Sequence, residues 1–433
     1  MKNITLVSLI FCTLLAGCQP KVYLMPPPVS LNPGNPVFSM GEANQDENLL
    51  YTLYATNRLP YDKADKSLHY TILPSDTLRI GFVVHSVGGN KLSWDNFYYH
   101  SLQSKREKNL LLRQEYVREL AQYDKDDDLQ RTSAMAEGFF DQINKVLARN
   151  FDKDIVVYVH GANSNFYRAT AQGAQYYHYT GHNSIVLTFS WPSAENIFRY
   201  KTDVFHARKT IPAFVKLLEV LARHTDARNI NILAYSAGAQ VVAPGLASLR
   251  DHYPELSPEE LKKKLRIGEV YLAAPDTALV PFVGRYSKFK DIVQRTTINL
   301  NGNDTILRLA AMQNGVSRLG RPDTSELSKE EVKIMTEALN TPQLDVIDVG
   351  GSESLRLGGA HDSWYSHPWV SNDLLLLFLF NASPLERGLQ EYVNNGGKAY
   401  RFPEDYDQKI RKILDAEKDD FFEQYEALQK TEQ

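Results

Sequence analysis

Short, unbroken apolar runs recur along this chain from residue 150 onward and alternate with longer stretches of helical spacing. They occupy residues 155–159, 185–189, 230–233, 270–273, 297–300 and 344–349. Apolar runs without polar alternation suit strands that are buried on both faces, and such strands occur in parallel sheets joined by helical crossovers. The pattern therefore predicts an α/β fold with a mostly parallel central sheet and helices on both faces.

The chain before residue 150 has a different character. Apolar stretches at 50–58 and 80–84 predict strands of an N-terminal extension that joins the sheet edge. Residues 90–150 carry more charge and are predicted to form a helical insertion, with helix over 110–123. The acidic run at 124–128 is expected to be a solvated loop, because its carboxylates repel each other and lack the ligand spacing of a metal loop.

The end of the chain is charged again. Residues 373–380 are apolar enough for a buried helix, whereas residues 386–433 offer only a thin apolar stripe and are expected to form a peripheral helical tail. Residues 49–385 are therefore expected to hold the main domain. The net charge of -4 and the scattered Lys and Arg residues argue against a nucleic-acid partner.

The first residues combine a positive start, a short apolar segment and small residues before a cysteine. Lys2 precedes the apolar segment 4–15, and Ala16 and Gly17 directly precede Cys18. This order resembles the signal peptide of bacterial lipoproteins, while an ordinary secretory signal with a chance cysteine is the alternative. The resemblance implies that residues 1–17 are removed.

A lipoprotein signal also implies a location. Cys18 would carry the lipid and anchor the chain to a membrane, and Gln19 after it resembles outer-membrane sorting in the bacterial cell envelope. Cys12 would leave with the signal, so the mature chain would have no thiol for a disulfide. Residues 18–48 are rich in proline and are expected to be an extended tether.

Ser236 lies in the pattern Ala-Tyr-Ser-Ala-Gly directly after the apolar run 230–233. A strand that turns sharply into a helix lifts its turn residue above the sheet and requires small residues on either side, a requirement that Gly238 meets. The first amide of such a helix, that of Ala237, points toward a developing oxyanion. Ser236 is therefore a candidate nucleophile, although an ordinary turn serine fits a short pattern as well.

A nucleophilic serine needs a base and a carboxylate that orients the base. After Ser236 the histidines to consider are His252, His361 and His367. His252 is expected at the far end of the following helix, and His367 precedes a proline as a residue at a helix start does, so His361 is the preferred base.

The acid has two candidates, because Asp276 and Asp304 both follow an apolar run. Asp304 is preferred and Asp276 is the alternative, since an aspartate between a strand and a helix also commonly caps the helix, a role that suits Asp276. A glycine-containing turn after the run 155–159 could offer the amide of Ala162 as the second oxyanion donor.

Several segments together resemble a bacterial α/β-hydrolase family catalogued as a domain of unknown function. They are residues 54–58, 158–163, 190–193, 233–238, 272–276 and 302–304, with His361, Pro368 and Asp373. The resemblance implies the α/β-hydrolase fold and the catalytic triad Ser236, Asp304 and His361. Tyr235 departs from the family, which commonly has a histidine before the nucleophile, and residues 362–364 also depart from its pattern.

These observations predict a serine hydrolase that cleaves an ester or thioester through an acyl-enzyme, as a carboxylesterase or a lipase-like enzyme with a small-molecule ester or a lipid as substrate. The rival from another class is a non-catalytic envelope lipoprotein that uses the scaffold for binding. No cofactor and no metal are expected: His178 and His182 have metal-ligand spacing, but no third ligand accompanies them. The sequence leaves the oligomeric state open.

Overall fold

The computed structural model describes residues 21–31, 48–62, 68–89, 92–103, 105–106, 109–127, 133–194, 196–356, 361–394 and 397–414. Eleven strands form one sheet within these residues. The strands are β1 (Leu49–Asp62), β2 (Leu68–Val87), β3 (Leu112–Tyr123), β4 (Ile155–Val159), β5 (Ile185–Phe189), β6 (Ile230–Tyr235), β7 (Ile267–Ala273), β8 (Arg295–Leu300), β9 (Leu344–Asp348), β10 (Gln390–Asn394) and β11 (Gly397–Arg401).

The helices connect these strands. They are α1 (Trp94–Ser101), α2 (Ala134–Arg149), α3 (Phe166–Tyr179), α4 (Tyr200–His224), α5 (Ala239–His252), α6 (Pro258–Leu265), α7 (Leu279–Phe289), α8 (Thr305–Asn314), α9 (Lys329–Leu339), α10 (Glu353–Arg356), α11 (Ser363–Ser366), α12 (Pro368–Phe380) and a helix over residues 406–414. Short 3₁₀ turns occur at Ile197–Arg199, Ser236–Gly238, Lys290–Ile292, Thr324–Glu326 and Val349–Gly351.

The sheet runs in the order β10-β11-β9-β8-β7-β6-β4-β5-β1-β2-β3. Neighbours from β11 to β1 are parallel, and antiparallel pairs occur only at the two ends, between β10 and β11 and among β1, β2 and β3. The predicted mostly parallel sheet is confirmed, and so is the N-terminal extension that joins its edge. The carboxyl ends of the parallel strands lie along one edge, where α/β proteins bind their ligands.

The central strands bury both faces, as their unbroken apolar runs require. In β4, Val157 and its alternate neighbours face the core under α2, α4, α5, α6 and α7, whereas Val156 and Tyr158 face the core under α3 and α12. Side chains of a strand alternate between its faces, so each run supplies both cores. The predicted buried helix over 373–380 lies within α12, most of which is buried.

Residues 110–123 differ from the sequence expectation. They were predicted as helix within a helical insertion, but most of them form the edge strand β3, which pairs antiparallel with β2. Leu112 and Tyr123 are buried while the charged side chains between them are mostly exposed or half-buried. A charged edge strand protects a sheet from pairing with other chains, and its one-sided burial hides the strand pattern from a search for apolar runs.

The predicted tether is shorter than its sequence suggests, because residues 21–31 pack on the domain. Leu24 and Met25 bury their side chains, and the Ser30 amide donates to Asn372 Oδ1 on α12 at 2.8 Å. The Met25 carbonyl accepts from the Tyr179 hydroxyl on α3 at 2.7 Å. The few large apolar residues of this proline-rich stretch are thus used in the core. The predicted signal 1–17, Cys18 and residues 32–47 lie outside the described residues.

The predicted helical tail is helical only in part. Residues 390–401 form the hairpin of β10 and β11, and β11 joins β9 as a parallel strand. The helix over 406–414 follows and buries Tyr406 and Ile410 against α12 and its surroundings. Aromatic residues of this stretch fill the core under α12, which explains why it is not peripheral. Among the described residues, no helix combines the length and apolar character needed to span a membrane.

Asp152 generates a testable prediction about stability and pH. It is buried before β4, where its Oδ2 accepts from the Ser184 hydroxyl at 2.5 Å. Burial, with a smaller contribution from the nearby Asp154 carboxylate, raises the pKa of Asp152 to about 7. The unfolded chain releases this proton near pH 3.9, so the folded state binds more protons in the interval between, and stability falls as pH rises through it.

We therefore expect Asp152→Asn to gain stability relative to the wild type on going from pH 5 to pH 8, by about 2 kcal/mol. Urea denaturation at both pH values measures this difference. The exposed Asp226→Asn serves as the control for a change of carboxylate to amide. An equal effect of Asp152→Asn at both pH values would contradict the assignment.

Candidate active site

Ser236 lies in a strained turn between β6 and α5. Its φ of +51° falls in the left-handed region, which is uncommon for a residue other than glycine. A Cβ on Gly238 would lie 2.5 Å from the Val159 carbonyl oxygen, and one on Gly161 would lie 3.0 Å from the Ser236 Cβ. The turns after β4 and β6 therefore touch each other, and both need glycine at the point of contact.

His361 joins Ser236 to Asp304 by two short hydrogen bonds. Its Nδ1 lies 2.7 Å from Asp304 Oδ2, and its Nε2 lies 2.8 Å from the Ser236 Oγ. An imidazole whose Nδ1–H donates to the carboxylate presents an unprotonated Nε2, which accepts the serine hydroxyl. The structure thus brings together the three side chains that the sequence and the family resemblance selected, in the geometry that proton transfer from the hydroxyl requires.

Asp304 has two roles at the end of β8. Its Oδ1 accepts from the Leu307 amide at 2.9 Å and caps α8, while its Oδ2 faces His361. The side chain is fully buried. Because the helix start holds one carboxylate oxygen, the other is fixed in direction, and the imidazole that it bonds is fixed with it.

The alternative acid, Asp276, bonds other partners. Its Oδ1 accepts from Arg318 Nε at 2.5 Å, and its Oδ2 accepts from the Tyr200 hydroxyl at 2.6 Å. Its amide donates to the Ser236 carbonyl oxygen at 3.0 Å. Asp276 therefore bonds the nucleophile turn and not the histidine. The expectation that Asp276 caps a helix is wrong, because Ala278 is the N-cap residue of α7 and Asp304 is the aspartate that caps a helix, α8.

The other histidines lie in separate places. His367 starts α12, where its Nδ1 accepts from the Trp369 amide at 3.2 Å, and burial lowers the pKa of its ring to about 4. His252 ends α5, with its Nδ1 3.7 Å from a carboxylate oxygen of Glu219. His361, and neither of these two histidines, is hydrogen-bonded to Ser236, and both positions agree with the sequence expectation of a helix start and a helix end.

His160 follows β4 and does not reach Ser236 either. Its Nδ1 lies 2.7 Å from the Gly161 carbonyl oxygen and its Nε2 lies 3.1 Å from that of Trp191. The ring stacks on the Trp191 indole with the two planes 3° apart. Burial, and then the positive charge of Arg58, lower the pKa of His160 to about 3, so the ring is neutral and donates to one of the two carbonyl oxygens.

Three contacts fix the loop after β4, which carries Ala162. The Asn163 amide, at a residue with φ of +56°, donates to Asp203 Oδ2 at 3.1 Å. The Ser164 amide donates to the Ser193 hydroxyl at 3.0 Å. Arg58 on β1 donates from Nη2 to the Ser164 carbonyl oxygen at 2.8 Å. The oxyanion role assigned to the amides of Ala162 and Ala237 stays a prediction, but the loop that carries Ala162 is held firmly.

Sequence reasoning did not assign a role to Arg58 or Asp203. Arg58 is fully buried and bonds segments that follow β4 and β5. The sequence signal for Arg58 is its position in the family-like stretch 54–58. Its burial agrees with a structural role, because arginine is rarely buried unless its charged group is bonded. Asp203 sits in the first turn of α4 and gives no sequence signal, because its partners lie about ten and forty residues earlier in the chain.

An aromatic cluster contacts the His361 ring through Tyr235. The Tyr235 ring lies 5.4 Å from the His361 ring, and it also packs edge-on against Trp364 and Tyr365. Tyr235 and Trp364 are among the residues that depart from the family pattern. Their bulk and burial restrict the space beside the imidazole, so the departures shape the site without removing a reactive group.

His178 and His182 are neighbours, with 3.3 Å between Nδ1 of the first and Nε2 of the second. His178 also stacks on Phe97 and lies 2.8 Å from the Ser101 hydroxyl. In the part of the chain that the structure describes, no three His, Cys, Asp or Glu side chains come together as metal ligands would.

Comparison with known proteins adds a family. A family model described as Alpha/beta hydrolase of unknown function (DUF900) matches residues 136–376, more than half of the chain. The comparison with curated proteins finds no match.

Two solved structures are similar to the chain over part of its length. The crystal structure of a predicted CIB-like hydrolase from Thermoplasma acidophilum is 15% identical, covers 55% of this chain and 88% of its own, and has a TM-score of 0.31. An inhibited esterase B from Lactobacillus rhamnosis is 11% identical, covers 66% of this chain and 80% of its own, and has a TM-score of 0.28.

The tight contact at Gly238 gives a prediction. Gly238→Ala should lower the free energy of unfolding by about 1–3 kcal/mol, because the added methyl meets backbone carbonyls of β4 that cannot rotate away. Gly284→Ala in α7 is the matched control, since its methyl would meet nothing within 4 Å and alanine is the better helix former. Urea denaturation of both variants is the measurement, and equal stability of the two would refute this account of the turn.

Proposed function

The chain belongs to the family of α/β-hydrolases of unknown function whose model covers residues 136–376, and on that premise we propose that it is a serine hydrolase that cleaves an ester or thioester through an acyl-enzyme. One observation carries the proposal: the unbroken chain of hydrogen bonds from Ser236 through His361 to Asp304, at 2.8 and 2.7 Å. A scaffold used only for binding has no need of this arrangement, which makes the non-catalytic lipoprotein the weaker candidate.

In the proposed first half-reaction, His361 Nε2 takes the proton of the Ser236 hydroxyl as Oγ attacks the carbonyl carbon of the substrate. The carbonyl oxygen becomes an oxyanion, and we assign its stabilisation to the amides of Ala237 and Ala162. The protonated imidazole then gives its proton to the leaving alcohol or thiol. Asp304 keeps the Nδ1–H directed toward itself and stabilises the positive charge of the ring.

The second half-reaction repeats these steps with water. His361 deprotonates a water molecule that attacks the acyl-enzyme, and the proton returns to Ser236 Oγ as the acid product leaves. Because one imidazole serves both halves, its geometry has to be retained throughout. The cap of α8 provides this, since it fixes the Asp304 carboxylate that orients the ring.

We also propose a location for the enzyme, the bacterial cell envelope, with a lipid at Cys18 and sorting to the outer membrane. The support is the order of a positive start, an apolar segment and small residues before Cys18. Mass spectrometry of the membrane-extracted protein tests it, because acylation adds the mass of the lipid to the N-terminal peptide. An unmodified N-terminal peptide, or one that still contains residues 1–17, would reject the proposed anchor.

Ser236→Ala is expected to lose labelling by a fluorophosphonate probe and almost all hydrolysis of nitrophenyl esters, because the attacking oxygen is gone. The loss in kcat should be at least about ten-thousand-fold, as in other serine hydrolases. A series of acyl chain lengths tested on the wild type separates a short-chain esterase from a lipase-like enzyme. If the wild type does not react with the probe, or if Ser236→Ala reacts equally, the binding protein becomes the better description.

Variants of His361 and His367 test which histidine acts as the base. His361→Ala should reduce kcat by at least about ten-thousand-fold, because no base remains beside Ser236. His367→Asn should keep kcat close to that of the wild type, since asparagine can accept the Trp369 amide and cap α12 in its place. Thermal unfolding of both variants controls for folding. Comparable losses in two folded variants would rule out His361 as the specific base.

A further inference from the structure

Two segments at the carboxyl edge of the sheet expose large apolar side chains. One is the start of α4 with the 3₁₀ turn before it, and the other is α8 with the residues that follow it. Phe198 is 94% exposed and Met312 is 72% exposed, values that leave most of each residue in water. We call the following exposed set the apolar rim: Phe198, Phe205, Ile306, Leu309, Met312 and Val316.

The two segments that carry the apolar rim are hydrogen-bonded to a residue that contacts the nucleophile turn. Tyr200, two residues after Phe198, donates to Asp276 at 2.6 Å, and Arg318, two residues after Val316, donates to the same carboxylate at 2.5 Å. The Asp276 amide in turn donates to the Ser236 carbonyl oxygen. Both segments are thus hydrogen-bonded to one residue that contacts the nucleophile turn, and Asp304 is the N-cap residue of α8.

The charges within the two segments have one sign. In residues 196–209 and 305–316, every exposed charged side chain that the structure describes is basic: Arg199, Lys201, Arg208, Lys209 and Arg308. Asp203 is the acidic residue in these ranges, and it is buried against the loop after β4. A local excess of positive charge stands out on a chain whose net charge is -4.

We propose that the apolar rim docks on the surface of an anionic phospholipid bilayer, and that the acyl ester cleaved at Ser236 is taken from that surface. Exposed apolar side chains gain free energy by entering the boundary between headgroups and acyl chains, and the flanking Lys and Arg side chains are attracted by anionic headgroups. The combination of an apolar patch with basic neighbours fits this partner. The substrate class rests on the proposed function, whereas the docking does not.

Vesicle binding tests the docking without turnover or a lipid anchor. The protein used is the chain from residue 18 with Cys18→Ser and Ser236→Ala. It contains all the segments that the structure describes, with Ser236 as the one described residue that is substituted. It is sedimented with vesicles of phosphatidylcholine, with and without phosphatidylglycerol. We expect binding to the anionic vesicles, weaker binding to the neutral ones, and a decrease with added salt, because the attraction of the basic side chains is screened.

Removing two apolar side chains shows whether the rim makes the contact. In the same background, Phe198→Ser with Met312→Ser should weaken binding to anionic vesicles by roughly tenfold for each side chain. Val393→Ser is the matched control, since Val393 is 74% exposed and lies on β10, the strand at one end of the sheet, outside the two rim segments. Thermal unfolding confirms that each variant is folded.

Each outcome has one meaning. No binding by the parent protein, or equal binding by the rim variant and the Val393→Ser control, overturns the docking. Hydrolysis by the enzyme with Ser236 intact is measured separately on a soluble nitrophenyl ester. Vesicle binding without any hydrolysis would remove the proposed function and keep the docking, and hydrolysis without vesicle binding would do the reverse.

Discussion

The close contact between the turns after β4 and β6 is the constraint on which the site depends. Gly238 presses against the Val159 carbonyl, and Gly161 presses against Ser236, with no space for a side chain at either point. Because the strands are neighbours in a parallel sheet, this contact fixes the nucleophile relative to the loop that carries Ala162. The strained backbone of Ser236 persists because the packing on both sides leaves it no alternative.

Two aspartates with nearly the same sequence setting have different partners in the folded chain. Asp276 and Asp304 both follow a strand of the parallel sheet, yet Arg318 and Tyr200 occupy the first carboxylate, while His361 faces the second. The partners come from segments about forty to eighty residues away in the sequence. Spacing alone therefore left both aspartates open, and the family resemblance together with the strand order favoured the one that meets the histidine.

Buried strands were predictable because burial on both faces leaves an unbroken apolar run, as at β4 and β5, whose observed bounds agree with their runs. The edge strand β3 was not predictable as a strand, because it is buried on one face only and its charged residues are typical of helices as well. The contacts of residues 21–31 were not predictable either. These contacts depend on where α3 and α12 leave apolar surface, and the local sequence of residues 21–31 does not indicate the position of that surface.

Within the site, too, some residues could be predicted from local sequence and others could not. Ser236 and His361 could be selected because their chemistry and chain order are informative, but the loop contacts of Arg58 and Asp203 join segments that are remote in sequence. Such contacts follow from the three-dimensional path of the chain, since a buried guanidinium bonds whichever carbonyls the fold brings to it.

Arg58 connects the N-terminal strand β1 to the loops of the candidate active site. The segment that the family model matches begins at residue 136, yet the Arg58 guanidinium on β1 donates to carbonyl oxygens in the loops after both β4 and β5. The contacts that hold these loops therefore extend beyond the segment that the family model matches. Changes in the N-terminal strands reach these loops through Arg58 and through the bonds of Ala55 and Thr56 to Ser190, so variation in β1 is coupled to the site.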